Sequence, residues 1–325
     1  MSANTTLPDI TPPRRAAWSE DVSDIFSLIQ NGQTAGLGVI LVTIISIEGG
    51  SPRGVGAHMA VLSDGRYLGY VSGGCVEAAV ASEALIMLAD GAKDCIVRFG
   101  SGSRYLDIKL PCGGAIDLHF CFNPGADIIA EAIQRRERRE CFALRFDPLQ
   151  IAPALDDPSA WHDDRFVRVY PPQTKLLLCG NGIEMIAMAK LAGASGYAAE
   201  AIVPDEDLAG RLSALGVTVT IPKSLGSDIT IIADEWTAII FLFHDFDWEM
   251  KLLPVVLATN AFFIGALGSP KTHQTRLEGL RKLGVADEYL ARIRGPVGLV
   301  PAARDAATLA ISVLAEITAW RQGKI

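Results

Sequence analysis

From Lys175 onward the chain alternates short aliphatic runs with helical segments, and that alternation leaves few folds open. The runs are Lys175–Cys179, Ala199–Val203, Val217–Ile221, Ala238–Phe243 and Phe262–Leu267. Between them Ile183–Ala194, Asp205–Leu215, Trp248–Thr259 and Thr272–Leu283 have helical length, and Asp305–Trp320 forms a final helix. Strands that are apolar on both sides must be covered on both faces, which the crossover helices of a parallel sheet do. Residues 173–325 are therefore expected to form a Rossmann-like, doubly wound parallel-sheet domain.

The turn after the first of these strands reads Gly180-Asn181-Gly182 and opens a helix, the context a dinucleotide fingerprint requires. Gly180 makes the tight turn, and Gly182 lets backbone approach a pyrophosphate at the helix N-terminus. The third small position is Met185 instead. Asp205 follows the second strand, where an acidic residue would hold a ribose. An NAD(P) site and a Rossmann domain used only as scaffold both stand open. His244-Asp245 ends a Rossmann strand, where open α/β sheets place their ligands; a helix-capping Asp is the alternative. Gly268 and Ser269 can receive a phosphate and Lys271 can neutralise it, with Ser269 as a plain cap in competition.

The first half reads as an α+β domain over 19–147, after a disordered lead-in at 1–18 and before a linker at 148–172 that holds Asp156-Asp157-Pro158 and Pro171-Pro172. Ser19–Asn31 is helical, with Gly32 as its stop; Leu37–Ile47 is a strand. A hairpin turns at Asp64-Gly65. A helix opens at Gly73-Gly74-Cys75-Val76-Glu77 and runs to about Asp90.

A net charge of −8 and a pI near 5.2 argue against nucleic acid, which needs clustered Lys and Arg. No apolar run reaches the roughly 18 residues of a membrane span. The polar, Pro-rich N-terminus has no apolar leader, so the expected location is the cytoplasm and the six cysteines are expected as thiols.

Cys75 is the chemical centre of the first half. Two glycines permit close approach of a ligand, and a helix N-terminus lowers a thiol pKa toward the thiolate that nucleophiles and metal ligands need. The alternative is a small buried helix-start residue. Glu77, in the same first turn, can cap or orient. Cys112 is a second thiol in a Pro-Cys-Gly-Gly turn, or an incidental turn residue. Arg53, among glycines, is an anion-binding candidate. His58 is read as a satisfied structural histidine, and Cys95 and Cys179 as core fillers.

Taken together these segments resemble the xanthine dehydrogenase accessory factor family, of the XdhC/CoxI type. The carrying segments are Gly50-Ser51-Pro52-Arg53, Ser72-Gly73-Gly74-Cys75-Val76-Glu77, Leu110-Pro111-Cys112-Gly113-Gly114, His244-Asp245, Phe263 through Ser269, Gly295 through Leu299, and Ala310 through Ile317. The resemblance implies an accessory protein that binds molybdenum cofactor (molybdopterin or a dinucleotide form) and assists exchange of its oxo for a sulfido ligand. It would then deliver the cofactor to a molybdenum hydroxylase apoenzyme. The implied partners are that apoenzyme and a cysteine desulfurase, with a homodimer as the assembly. Cys75 becomes a candidate molybdenum ligand and Cys112 a second thiol; soft thiolates suit that role. The sequence departs from the family pattern at Ile183, where a His is usual, at Pro204-Asp205-Glu206, which lacks an Arg, and at Ser269-Pro270-Lys271-Thr272, with one base. The competing readings are an NAD(P)-dependent oxidoreductase and a non-catalytic bridging protein.

Overall fold

The computed structural model describes residues 11–74, 76–104, 113–147, 150–154, 160–162, 165–225 and 229–323. The chain divides into two units, Met1–Pro172 and Gln173–Ile325. The first begins with β1 (Arg14–Arg15), α1 (Val22–Thr34), β2 (Val39–Glu48), β3 (His58–Leu62), β4 (Arg66–Gly69) and α2 (Glu77–Ala89). It continues with β5 (Cys95–Gly100), β6 (Ala115–Phe122), α3 (Ala126–Glu137), β7 (Phe142–Asp147), β8 (Gln150–Ala154), β9 (Ala160–His162) and β10 (Arg165–Tyr170).

Six strands form one sheet in the order β1-β4-β3-β2-β6-β5, antiparallel except for β1 against β4. Alternation along β2 explains its two covered faces. Ile40, Val42 and Ile44 meet Val80, Ala81, Ala84 and Leu85 of α2. Val39, Leu41 and Ile45 join a second core with α1, α3 and a further sheet. That sheet, β8-β7-β10-β9, is antiparallel and lies largely inside the span 148–172 expected as a linker. Ile151, Phe166 and Tyr170 carry it into the core, and Pro153 is tolerated because β8 is an edge strand.

Two further expectations change. The lead-in expected to be disordered through residue 18 contains β1, held to β4 by the amides of Arg14 and of Ala16 just after it, which donate to Gly65 O and Tyr67 O at 2.8 Å. Gly32 does not stop α1 but lies inside it; a Cβ there would stand 2.7 Å from Leu62 Cδ2, so the glycine allows α1 to lie close on the sheet. The left-handed residue after the helix is Gly36.

The second unit comprises β11 (Lys175–Gly180), α4 (Ile183–Ala194), β12 (Ala198–Ile202), α5 (Glu206–Ser213), β13 (Thr218–Thr220), β14 (Thr237–Leu242) and α6 (Phe246–Leu257). Then come β15 (Phe263–Ala266), α7 (Pro270–Lys282), α8 (Asp287–Leu290), β16 (Ile293–Arg294) and α9 (Ala306–Arg321). All six strands are parallel, in the order β13-β12-β11-β14-β15-β16, which is the 3-2-1-4-5-6 order of a Rossmann fold. Leu176, Leu178, Ile240 and Leu242 face α4, α5 and α9. Leu177, Cys179, Ile239 and Phe241 face α6 and α7. The fold class read from the alternation is the one observed. Among the described residues no helix is long and apolar enough to cross a membrane.

Candidate functional site

Three glycine-bearing segments of the first unit meet at one end of its six-stranded sheet. Gly49 follows β2 and approaches Gly114, which precedes β6: a Cβ on Gly49 would lie 3.3 Å from Gly114 Cα, and one on Gly114 would collide with Glu48 O. Pro52 lies against Gly73, whose Cβ would stand 3.5 Å from Pro52 Cγ. Arg53 Nε donates to Ser72 O at 3.4 Å, while the same guanidinium pairs with Glu20. Arg53, expected as an anion site, is thus a tether between two loops.

The turn before α2 is built on Glu77. Its buried Oε1 accepts from Val71 N at 3.2 Å, Ser72 N at 2.8 Å and Ser72 Oγ at 2.9 Å; Oε2 also accepts from Ser72 Oγ at 2.9 Å. Ser72 Oγ accepts in turn from Gly74 N at 3.3 Å and Val76 N at 3.4 Å. A carboxylate acting as a template for backbone N–H groups fixes a loop that glycines would otherwise leave free. Gly74 sits at φ 104°, a conformation that favours glycine. Glu77 therefore orients the turn and does not cap α2, whose N-cap, Val76, makes no side-chain cap bond. Gly73 and Gly74 are exposed. Cys75 and Cys112, the two candidate thiols, lie outside the described residues.

The core of this unit also holds a buried polar chain. His58 Nδ1 shares a 2.9 Å hydrogen bond with Thr43 Oγ1 and Nε2 a 2.7 Å bond with Tyr170 OH. Burial first, and then Arg168, push the His58 pKa down to about 3. Burial pushes the Cys121 and Cys179 thiols up, as befits core residues.

In the second unit, sequence-predicted residues fall into two depressions. Gly182 and Asp205 line one of about 670 Å³ with Asn181, Lys190 and Arg211. Gly182 is the N-cap of α4 at φ 107°, and Gly180 is a packing glycine whose Cβ would lie 2.8 Å from Leu242 Cβ. Asp205, expected beside a ribose, caps α5: its Oδ1 accepts from Leu208 N at 2.7 Å. The Asp that would read a ribose is engaged because Pro204-Asp205-Glu206 places it at the helix N-cap.

His244, Asp245 and Gly268 line the other, a cavity of about 450 Å³ shared with Glu184, Glu249, Arg276 and Arg304. It lies past the carboxyl ends of β11, β14 and β15, where Rossmann domains bind ligands. Residues from the first turns of α4, α6, α7 and α9 line it, so several helix dipoles favour an anion there. Asp245 and Asp305 are occupied as N-caps of α6 and α9, and Thr308 holds the Asp305 carboxyl below its ordinary pKa. His244 is 69% exposed, its Nε2 3.9 Å from Glu184 Oε1. Ser269 caps α7 through Thr272 N at 3.1 Å; neither it nor Lys271 lines the cavity.

Sequence reasoning missed the floor of this cavity. Arg276 is fully buried and forks onto Glu249, Nε to Oε2 at 2.7 Å and Nη2 to Oε1 at 2.9 Å, while Nη2 also donates to Leu267 O at 2.5 Å. The available signal was register: Arg276 stands four residues before buried Leu280, and Glu249 four before buried Leu253.

Fold and sites define a two-unit α/β protein whose second unit is a Rossmann domain with a ligand-sized crevice. The family model described as the XdhC Rossmann domain matches residues 176–317, and that of the XdhC and CoxI family matches residues 33–100. The molybdenum cofactor insertion chaperone PaoD of Escherichia coli (strain K12) is 38% identical over 312 residues, covering 95% of this chain and 92% of that protein. The chain belongs to the XdhC/CoxI family. It is also 23% identical to a probable xanthine dehydrogenase subunit of Bacillus subtilis (strain 168), over 87% of this chain and 93% of the relative. A crystal structure of a xanthine dehydrogenase from Bacillus halodurans shares the fold, with a TM-score of 0.73, 19% identity, and coverage of 92% and 96%.

Proposed function

We propose that this chain is a maturation chaperone that binds molybdenum cofactor and inserts it into a molybdenum hydroxylase of the xanthine or carbon monoxide dehydrogenase type. The observation that carries the reading is the 38% identity, over nearly the full length of both chains, with a molybdenum cofactor insertion chaperone. The cofactor is cargo here, so the protein needs groups that hold and release it rather than turn it over.

In this reading the first unit, from residue 19 through the sheet that ends at β10, handles the cofactor, and residues 173–325 form the Rossmann domain. Cys75, which follows Gly73 and Gly74 in the sequence, supplies a soft thiolate to molybdenum, with Cys112 as the second thiol. Glu77 acts by positioning: it holds Val71 N and Ser72 N and so sets the path of the glycines. Arg53 keeps the adjacent loop in place. In the second unit, His244, Asp245 and Gly268 line a crevice suited to a nucleotide or phosphate, with Ser269 and Lys271 following Gly268 in the chain. Gly182 and Asp205 line the neighbouring depression, and Gly180 packs the turn before α4. A cysteine desulfurase supplies the sulfur, the assembly is a homodimer, and the setting is the cytoplasm.

The test is to purify the full chain from a host that makes the cofactor, and to measure molybdenum content and pterin fluorescence. Stoichiometric pterin with the wild type, and a clear loss of bound molybdenum with Cys75→Ala, are expected. A wild-type protein carrying neither metal nor pterin overturns the reading; a Cys75→Ala protein that keeps full metal and still activates apoenzyme removes Cys75 from it.

A further inference from the structure

Trp18 is 83% exposed, the most exposed of the large apolar side chains among the described residues. An indole left in water is ordinarily a loose surface group, but this one is held. The Arg15 guanidinium lies 4.5 Å from its ring centroid, 4.7 Å from that of Tyr70 and 5.1 Å from that of Tyr67. Arg15 is itself anchored by the pairing of β1 with β4, opposite Tyr67. Its Nη1 is buried and makes no hydrogen bond among the described residues, so the rings around it supply its stabilisation. Trp18 and Tyr70 stand 6.5 Å apart at 37°. The Arg53 guanidinium lies 5.2 Å over Tyr70, on the same residue that reaches Ser72 O.

The result is a fixed row of cations and rings, Trp18, Arg15, Tyr70 and Arg53, that ends at Ser72 and Gly73. One face of the row is backed by charge and packed, yet its outermost member offers a flat π surface to solvent. Pre-organised aromatic surface beside guanidinium groups is what stacks a planar nitrogen heterocycle bearing phosphate. Ordinary core packing does not account for it, because Trp18 buries almost nothing.

We infer that Trp18, backed by Arg15 and Tyr70, is a stacking platform for the heterocycle of the bound cofactor, with Arg53 beside it on the side of the glycine turn. The inference rests on the proposed cofactor-binding function and adds a recognition surface to it. The ring is the pterin; in a dinucleotide form of the cofactor the nucleobase has the same stacking chemistry.

The experiment titrates the full chain anaerobically with isolated molybdopterin and, separately, with guanosine and cytidine monophosphate, following tryptophan fluorescence. Subtracting a Trp18→Phe protein isolates the Trp18 signal from the other four tryptophans. Trp18→Ala is expected to bind molybdopterin about tenfold more weakly, and Trp18→Phe within about threefold of wild type, since stacking depends on a ring at that position. Thermal melts control for folding, and Tyr70→Leu provides a second variant that removes the backing ring. Quenching of Trp18 by the monophosphates, and not by molybdopterin, assigns the platform to the nucleobase. If the wild type binds cofactor and Trp18→Ala binds it equally well, the platform is wrong and the function stands. If the wild type binds no cofactor, the function itself falls, and the platform with it.

Discussion

The two units bury a carboxylate in opposite ways. In the first, Glu77 is met by neutral donors, two backbone N–H groups and one hydroxyl, none more than six residues away. In the second, Glu249 is met by a full cation, Arg276, 27 residues away on another helix. The local arrangement shapes a loop; the long-range one ties α6 to α7 and forms the floor of a cavity. A brace made of backbone donors can fail by losing one turn, whereas an ion pair that fails strands a charge in the core. The units should therefore respond differently to the same kind of substitution.

The largest effect is expected at Arg276→Met, which leaves Glu249 buried without its partner and should cost about 3–5 kcal/mol in urea denaturation. Adding Glu249→Leu should recover most of that loss, because an apolar pair of similar volume avoids the desolvation of both ions. A single variant within about 1 kcal/mol of wild type would break the contrast, since typical surface pairs cost that little.

Glu77→Ala should cost somewhat less, about 2–4 kcal/mol, from two buried N–H groups and a hydroxyl left without an acceptor. It should reduce cofactor binding more than stability, because the disturbed residues are those before Gly73. Glu77→Gln keeps an acceptor oxygen and should fall between. If Glu77→Ala unfolds cofactor-free protein but leaves binding untouched in what remains folded, the brace has no part in the site.

The buried histidines of the first unit also set a pH dependence. With the His58 pKa lowered to about 3 when folded, against an ordinary 6.5, the unfolded chain takes up the proton first as pH falls. Stability should then decline below about pH 6.5 and keep declining toward pH 3. His58 alone gives a loss of about 2 kcal/mol between pH 7 and pH 5. His119, also buried and also lowered by that burial, adds in the same direction. Chemical denaturation at the two pH values checks this, and a His58→Gln protein should show a shallower slope.

The smallest effect is expected at Asp205→Ala, about 1 kcal/mol, the worth of an ordinary helix cap. A large change in ligand binding from that substitution would restore Asp205 to a ribose-binding role.

The Rossmann unit was almost fully legible because buried parallel strands read as unbroken aliphatic runs, and Lys175–Gly180 and Thr237–Leu242 are of that kind. The strands β8 to β10 were not, since Pro153 and the acidic Asp156-Asp157-Pro158 imitate a linker, and only the pairing of β8 and β10 with β7 and of β9 with β10 makes them a sheet. β1 was hidden for a related reason: two arginines after two prolines carry no strand pattern, and the edge of β4 imposes the conformation. At the candidate sites, the glycine turns and the capping residues could be read one by one. What could not be read was pairing at a distance, whether Arg276 with Glu249 or Arg15 with the rings of Trp18, Tyr67 and Tyr70.

The two-residue pairing of β1 along β4 also bears on how the protein avoids aggregation. Without it, β4 would present a row of free N–H and C=O groups at the margin of the five remaining strands, a template onto which another chain can add. Arg14 and Arg15 close that margin with a strand too short and too charged to propagate pairing further. Trimming the chain back to Ser19 should convert a monodisperse preparation into one that forms strand-mediated aggregates, even if every buried core residue stays in place.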